Sequence, residues 1–190
     1  MGNVNSSSSS RASNGSSSRG SKKSNFFKKP LPLSESANAR LVESKWCNAL
    51  NNYDVKTIKN FASTDSICIF KGAKSGMPLS KFLEEVENIF KAFPDNQMRW
   101  ESIEEIAPGK VKVTNFVGRG THTGTPFGFG PFPPIPATGI VVEEDPCHLI
   151  ITVTKGKMTK FVIDTYCGDL VGPPGYYQKI GGSYVAQPSN

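Results

Sequence analysis

The chain has 190 residues and a formal net charge of +6, and this length fits one domain with an appendage. The charge is concentrated at the N-terminus, because residues 1–29 contain six basic residues and no acidic residue. Residues 30–190 are therefore neutral overall, which argues against specific nucleic-acid binding by the folded part, because such binding requires a basic face. No apolar run in the sequence is long enough to span a bilayer.

The four cysteines are Cys47, Cys68, Cys147 and Cys167. Their spacing is not that of a metal site, and no secretory apolar segment precedes them. We therefore expect free thiols, mostly in the core, in a reducing compartment. The sequence also contains no metal or cofactor motif, so we expect a protein that works without either.

Residues 1–33 are predicted to be a disordered tail, because residues 1–25 contain eleven serines and too few apolar side chains to offset the entropy of ordering. The first six residues, "MGNVNS", fit the N-myristoylation pattern, with Gly2 as the acyl acceptor. One acyl chain binds membranes weakly, and a basic cluster is a common second signal.

This tail therefore predicts a cytoplasmic protein held at an anionic membrane surface through residues 1–29. Two other interpretations stay open. The tail can be a flexible serine-rich segment with a chance match to the pattern, or an organelle transit peptide, which is also rich in serine and poor in acidic residues.

Three helices are predicted at the start of the folded part. Ser34 or Ser36 can cap the first and Asp54 the second, because short polar side chains accept hydrogen bonds from free N–H groups at a helix start. Ser80 precedes a third helix that stops at "PDN". Its apolar residues recur at helical spacing, and they are Phe82, Val86, Ile89, Phe90 and Phe93.

Most of the remaining sequence has the pattern of β-strands. A short run, "SICIF", lies before the third helix, and the longer runs are "QMRWESIEEI", "KVKVTNFVGRGTH", "GIVVEED", "HLIITVT" and "KMTKFVIDTYC". The short turns between them favour an antiparallel sheet. Helices first and strands last predict an α+β fold with helices on one face of a curved sheet. We expect residues 34–172 to form this domain and residues 173–190 to be an irregular C-terminal extension.

Several of these stretches together resemble the SnoaL-like polyketide cyclase branch of the nuclear-transport-factor-two-like fold. The resemblance rests on "AFPDNQMRWESIEEIAPGKVKV", "GRGTHTG", "PPIPATGI" and "KGKMTKFVIDTY", and it covers residues 36–169. It implies a cone-shaped sheet around N-terminal helices, with an apolar cavity open at one end. Proteins of this kind include cyclases, isomerases, dehydratases and non-enzymes that bind a ligand or dimerise through the outer sheet face, so the fold alone does not select the function.

Two residues are candidate proton carriers. His148 lies where the resemblance implies an acidic or histidine residue, but the match needs a one-residue bulge. Without a bulge, Leu149, Ile151 and Val153 face the core and His148 points the other way. Asp164, in an otherwise apolar strand, is a general base with a raised pKa if it faces the cavity, and an ordinary surface residue if it faces solvent.

His122 is a third candidate catalytic residue. It shares one strand face with Phe116, Gly118 and Gly120, and the two glycines leave room on that face. His122 can therefore look across a hollow at the mouth of the cone, or its ring can organise the hairpin around "GTHTG".

Aromatic side chains are the candidates for lining a ligand pocket. Residues 120–139 form a loop rich in phenylalanine and proline, which can be a lid over the cavity or a contact with a second subunit. Phe132 belongs to the same loop. The predicted pocket residues are Trp46, Tyr53, Trp100, Phe116, Tyr166, Phe127 and Phe129.

Two functions therefore stay open. The first is a cofactor-independent isomerase, cyclase or dehydratase, or a binder, for a small apolar ketone-like molecule. The second is a non-catalytic module that forms a homodimer through the outer sheet face. If His148 and Asp164 point into one apolar pocket, the first is favoured; if both face outward and aromatic side chains fill the pocket, the second is.

Overall fold

The structure is a computed structural model that describes residues 36–73, 75–164 and 171–183. The predicted tail with Gly2 lies outside the described residues, as do Tyr166 and Cys167. In the described part of the chain, no helix combines the length and the apolar character needed to cross a membrane. Cys47, Cys68 and Cys147 are buried.

Among the described residues there are four helical regions, and three of them precede most of the strands. Ser36 accepts the Ala39 N–H at 3.3 Å, and Asp54 accepts the Thr57 N–H at 3.0 Å, so both predicted caps are confirmed. The first region is continuous but changes from α to π geometry and back. The segments are α1 (Ala37–Val42), a π-helical turn (Glu43–Cys47), α2 (Asn48–Asn51), α3 (Val55–Phe61), α4 (Leu79–Ala92) and α5 (Gly172–Lys179).

The strands form one curved, unclosed sheet in the order β2-β1-β8-β7-β5-β3. Strands β4 and β6 also pair with β5, which is the longest strand. The fold is therefore α+β with a curved sheet, as predicted. The strands are β1 (Ala62–Phe70), β2 (Met77–Pro78), β3 (Gln97–Arg99), β4 (Ser102–Ala107), β5 (Lys110–Thr121), β6 (Val141–Glu143), β7 (Cys147–Thr154) and β8 (Lys157–Ile163).

The sheet is mixed, whereas the sequence predicted an antiparallel one. Strand β1 runs parallel to β8, with Cys68 opposite Phe161. The short turns that favour antiparallel pairing join neighbouring strands in the sequence. They say nothing about β1, because α4 and six strands separate it from its partner.

The inner face of the sheet and the first helices form the main core. Strand β7 alternates strictly, so that Leu149, Ile151 and Val153 are buried while the residues between them are partly exposed. These side chains pack in one cluster with Trp46 of the π-helical turn and Val86 of α4. The first helices therefore pack on the inner face of the sheet and do not cover its outer face.

The C-terminal segment contains a helix where the sequence predicted irregular structure. Gly172–Lys179 form α5, with proline in the first turn, where its missing N–H costs nothing. Tyr176 and Tyr177 are 1% and 3% exposed. This helix is therefore fixed by buried aromatic contacts, which outweigh the weak helix propensity of a segment rich in glycine and proline.

The phenylalanine loop packs against α5. Phe127 is 1% exposed, and its ring centroid lies 6.5 Å from that of Tyr177. Phe132 lies 5.8 Å from Tyr177 and is stacked on Phe129 at 6.5 Å. The Tyr177 hydroxyl also donates to the Pro133 carbonyl at 2.9 Å. The loop therefore forms a second small core with α5.

Candidate functional site

An apolar cavity lies between the inner face of the sheet, the first helices and α5. Its volume is about 40 Å³, which is room for about two or three water molecules. Hydrophobic side chains make up most of the wall, and among the described residues that line it the one carboxylate belongs to Glu144. The lining residues are Trp46, Leu50, Phe82, Val86, Ile89, Met98, Phe116, Glu144, Cys147, Leu149, Phe161, Ile163, Val171, Gly172, Pro173 and Tyr176.

Glu144 follows directly after β6 and turns its side chain inward. The residue is 6% exposed, although Glu143 before it is exposed. One carboxylate oxygen, Oε2, accepts the Gly118 N–H at 3.0 Å, and the other, Oε1, accepts the Gly172 N–H at the start of α5. The carboxylate therefore links the long strand β5 to the first residue of α5.

Burial controls the ionisation of this group. Loss of hydration raises the pKa of Glu144 to about 7, against the opposing effect of the Gly172 and Gly118 N–H donors and of the Lys179 charge. A carboxyl group with this pKa exchanges protons near neutral pH, which is the property that general acid–base catalysis uses.

A glycine on β5 makes room for this carboxylate and for a tyrosine. A Cβ atom at Gly118 would lie 2.3 Å from the Tyr176 hydroxyl and 2.4 Å from Glu144 Oε2, so no side chain fits there. The Tyr176 hydroxyl donates to Asn96 Oδ1 at 2.5 Å. The space that the sequence predicted beside this glycine therefore exists, and a buried polar group of three side chains occupies it.

The π-helical turn places Trp46 in the wall of the cavity. The Asn48 N–H donates to the Glu43 carbonyl five residues back, which places one extra residue in the turn. Trp46 is 1% exposed, and its ring lies 4.5 Å from that of Phe161. Its Nε1–H makes no hydrogen bond to any described residue.

His148 and Asp164 lie on the outer face of the sheet, away from the cavity. His148 is partly exposed, and its Nδ1 accepts the Asn115 N–H at 3.3 Å. Asp164 forms an ion pair with Lys71 at 2.7 Å, with about one third of each side chain exposed. The structure thus places His148 where the alternative without a bulge predicts it, since Leu149 faces the core.

His122 is fully buried, but it lies outside the cavity. Its ring stacks on Phe93 with centroids 5.0 Å apart, and Nδ1 lies 3.2 Å from the Thr138 hydroxyl. The His122 N–H donates to the Ile140 carbonyl at 2.9 Å. Burial lowers the pKa of His122, and the Thr125 carbonyl partly offsets this. These contacts join the two ends of the phenylalanine loop, as the hairpin-organising alternative predicts.

The predicted pocket residues separate into two groups. Trp46 and Phe116 line the cavity. Tyr53 instead donates from its hydroxyl to the Asn96 carbonyl at 2.7 Å and is 37% exposed. Trp100 packs at the edge of the main core, and the side chains of Phe127 and Phe129 belong to the loop cluster with α5.

Glu144 is the functional candidate that sequence reasoning missed. It stands in "VVEEDP", and three acidic residues at the end of a strand predict a solvent-exposed turn. Alternation puts Val142 and Glu144 on the same side, and this was the available signal. Alternation alone does not show that the Glu144 carboxylate is buried beside the cavity. That also requires Gly118 to lie opposite Glu144, and the sequence does not give that pairing.

Several solved structures share this fold. AclR from Streptomyces galilaeus, a proposed hydroxylase, is 22% identical and has a TM-score of 0.52, over 68% of this chain and 91% of its own. A proposed SnoaL-like polyketide cyclase from Jannaschia sp. CCS1 is 14% identical with a TM-score of 0.52, over 74% and 92%. IdmH from Streptomyces antibioticus, a proposed polyketide cyclase, is 18% identical with a TM-score of 0.52, over 67% and 90%.

These likenesses show that the chain has the SnoaL-like fold, as the resemblance implied. No protein-family model matches the chain, and no curated protein sequence matches it. At these identities the likeness concerns the fold, so the function has to be argued from the cavity and its residues.

Proposed function

We propose that the domain binds a small, largely apolar molecule in the cavity, and that Glu144 moves a proton on that molecule. The observation that carries the proposal is a single buried carboxyl group in an otherwise apolar cavity, with a pKa of about 7. Sites that move protons next to a carbonyl group use such a carboxyl group in a dry pocket.

The chemistry needs only this residue and a polarised carbonyl group. The Glu144 carboxylate takes a proton from the carbon next to the carbonyl, the C–H bond breaks, and its electron pair enters the enolate. The protonated carboxyl then returns the proton to the same or another atom. Isomerisation, cyclisation by an aldol step and dehydration all begin this way, so the proposal covers the reaction class and leaves the substrate open.

The cavity is smaller than a substrate of ordinary size. Pockets for drug-sized ligands have volumes of about 300 to 1,000 Å³, against about 40 Å³ here. The residues on one side are Val171, Gly172, Pro173 and Tyr176, all from α5 or next to it. We propose that ligand enters when α5 moves outward, which releases the Gly172 N–H from Glu144 and frees one carboxylate oxygen for the ligand.

Proton exchange into a ketone tests the proposal without knowledge of the substrate. Cyclohexanone in heavy water exchanges its α-hydrogens for deuterium, and NMR measures the rate. We expect the protein to accelerate this exchange, with a midpoint near pH 7, and Glu144→Gln to reduce the acceleration at least 100-fold. Glu143→Gln on the exposed neighbouring residue is the matched control. Equal rates for wild type and Glu144→Gln contradict the proposal.

A second candidate function is a non-catalytic dimerising module, and the outer face of the sheet favours it. Ile69, Val162 and Ile150 lie side by side on three adjacent strands and are partly exposed there. Ile67 on the same face is 38% exposed. Partly exposed apolar side chains in a row on a sheet face are suited to a second subunit, and His148 and Asp164 also face outward, as this alternative requires.

We further propose that the N-terminal tail is acylated at Gly2 and holds the domain at an anionic membrane surface. The support is the "MGNVNS" pattern together with six basic residues within positions 1–29. Metabolic labelling with a myristate analogue tests it. Label on the wild type and none on Gly2→Ala is expected, whereas equal labelling contradicts the proposal.

A further inference from the structure

Three buried side-chain nitrogens make no hydrogen bond of normal geometry to the described residues. They are Trp46 Nε1, Asn96 Nδ2 and His122 Nε2. Buried polar groups nearly always form hydrogen bonds, so each exception needs an explanation. Trp46 differs from the other two because its side chain lines the cavity that also contains Glu144.

Packing alone does not explain a tryptophan at this position. The ring contacts Phe161, with centroids 4.5 Å apart and planes inclined by 39°. A phenylalanine would make a contact of the same kind and would bury no N–H group. The buried indole N–H therefore lowers the stability of the ligand-free protein. This cost is offset if the N–H donates a hydrogen bond when a ligand is bound.

The backbone around Trp46 is also unusual. The turn Glu43–Cys47 is π-helical inside an otherwise α-helical region. Such turns are rare, and they occur frequently at functional sites. Trp46 is part of this turn.

We infer that the Trp46 Nε1–H donates a hydrogen bond to the carbonyl oxygen of the ligand. This inference rests on the proposed function and makes it more specific: the ligand carries a hydrogen-bond acceptor, and a donor and a carboxyl group that line the same cavity both contact it. A donor at the carbonyl oxygen also stabilises the enolate that forms when Glu144 takes the proton. Trp46 is thus a binding residue that selects ketones over hydrocarbons of the same shape.

The two tryptophans of the chain allow a direct spectroscopic test. The full chain labelled with ¹⁵N gives two indole signals, which Trp46→Phe and Trp100→Phe assign. Cyclohexanone and its apolar isostere methylenecyclohexane are then titrated separately. We expect the ketone to move the Trp46 indole proton downfield, as a new hydrogen bond does, and the isostere to leave it nearly in place. The Trp100 signal is the control, because that residue is outside the cavity lining.

Affinities separate hydrogen bonding from packing. Trp46→Phe should weaken cyclohexanone binding about tenfold, the effect of one hydrogen bond, and change methylenecyclohexane binding by less than about twofold. Trp100→Phe should change neither affinity. Equal weakening of both probes means that Trp46 contributes shape only, and this overturns the inference, as does an indole signal that responds equally to both probes or to neither.

Failure of the inference can be told apart from failure of the proposed function. If both probes bind with equal affinity and Glu144→Gln still abolishes deuterium exchange, the Trp46 inference is wrong and the proposed function stands. If the ketone preference depends on Trp46 but exchange does not depend on Glu144, the catalytic role fails and the binding role of Trp46 stands. If neither probe binds the wild-type protein, both are wrong.

Discussion

The two faces of the sheet present carboxylates that look alike in the sequence but differ in their surroundings. Glu144 on the inner side is 6% exposed and accepts two backbone N–H groups. Asp164 on the outer side is about one third exposed and pairs with Lys71. Both stand directly after a strand, but the sequence favoured Asp164, whose strand is otherwise apolar, over Glu144, which stands among three acidic residues.

The difference lies in the loss of water around the charge. In the cavity, apolar walls disfavour the ionised form of Glu144, so its proton equilibrium moves to about pH 7. On the outer face, water and salt screen the interaction between Asp164 and Lys71, and such pairs contribute little. A polar residue in a strand therefore becomes a candidate for chemistry only once its face is known.

The strongest test of this contrast is the pH dependence of stability in Glu144→Gln. The folded protein holds this proton more tightly than the unfolded chain, because the pKa rises from 4.5 to about 7 on folding. Glu144 thus lowers the free energy of unfolding as pH rises through this range, by roughly 3 kcal/mol in total. The stability of the Gln variant relative to wild type should therefore rise by this amount as pH rises from about 4.5 to about 7, and urea denaturation at several pH values measures it.

The Gln side chain offers one carbonyl oxygen to two N–H donors, so the variant loses one hydrogen bond at every pH. This loss shifts the curve without changing its slope. Glu143→Gln, which removes an exposed carboxylate paired with Arg99 and Arg119, is the control, with an expected cost below about 1 kcal/mol. A stability difference for Glu144→Gln that is the same at all pH values would show that the cavity does not perturb this carboxyl.

Gly118→Ala tests whether the polar group on the inner face is tightly packed. The new Cβ would lie 2.3 Å from the Tyr176 hydroxyl and 2.4 Å from Glu144 Oε2, so both must move. We expect a loss of about 2 kcal/mol in the free energy of unfolding. Gly120→Ala is the matched control, because its nearest contacts are at 3.1 Å and ask for a smaller shift. Equal effects of the two substitutions would contradict the packing argument.

Sequence patterns predicted the fold well, since most of them are local. The caps Ser36 and Asp54 and the alternation of β7 follow from neighbouring residues. The parallel pairing of β1 with β8 and the helix Gly172–Lys179 were not predicted. Both depend on contacts between distant parts of the chain, and local patterns do not report such contacts.

The site was harder to predict than the fold. Trp46 and Phe116 were identified as pocket residues, because large aromatic residues on core-facing positions line any cavity that forms there. Glu144 was not identified, because its burial results from Gly118 across the strand pair and from α5 above it. The sequence did not show which face of the sheet His148 and Asp164 occupy, because a shift of one residue in strand register moves a side chain to the opposite face.

The two histidines extend the comparison from carboxylates to imidazoles. His122 is fully buried, and its pKa is lowered because burial disfavours the charged ring. The unfolded chain therefore binds this proton more readily, so stability should fall as pH drops below about 6.5. His122→Asn should make this decline smaller, whereas His148→Asn on the outer face serves as the matched control. A decline that is identical in wild type and His122→Asn contradicts the assignment.

Val162→Lys gives the smallest expected change in stability and tests the outer face. Val162 lies between Ile69 and Ile150 in the register, with its side chain partly in solvent. A lysine there should change the free energy of unfolding of the monomer by less than about 0.5 kcal/mol.

The same variant tests whether this face holds a second subunit. If it does, sedimentation should show a dimer for wild type and a monomer for Val162→Lys. The control Ile106→Lys, at a residue that is 51% exposed, should leave the dimer intact. Because β8 alternates, with Phe161 and Ile163 facing the cavity, the Val162 side chain lies on the other face of the sheet, and the same variant should keep wild-type deuterium exchange. Loss of both dimer and exchange would mean that the two faces of the sheet do not act independently.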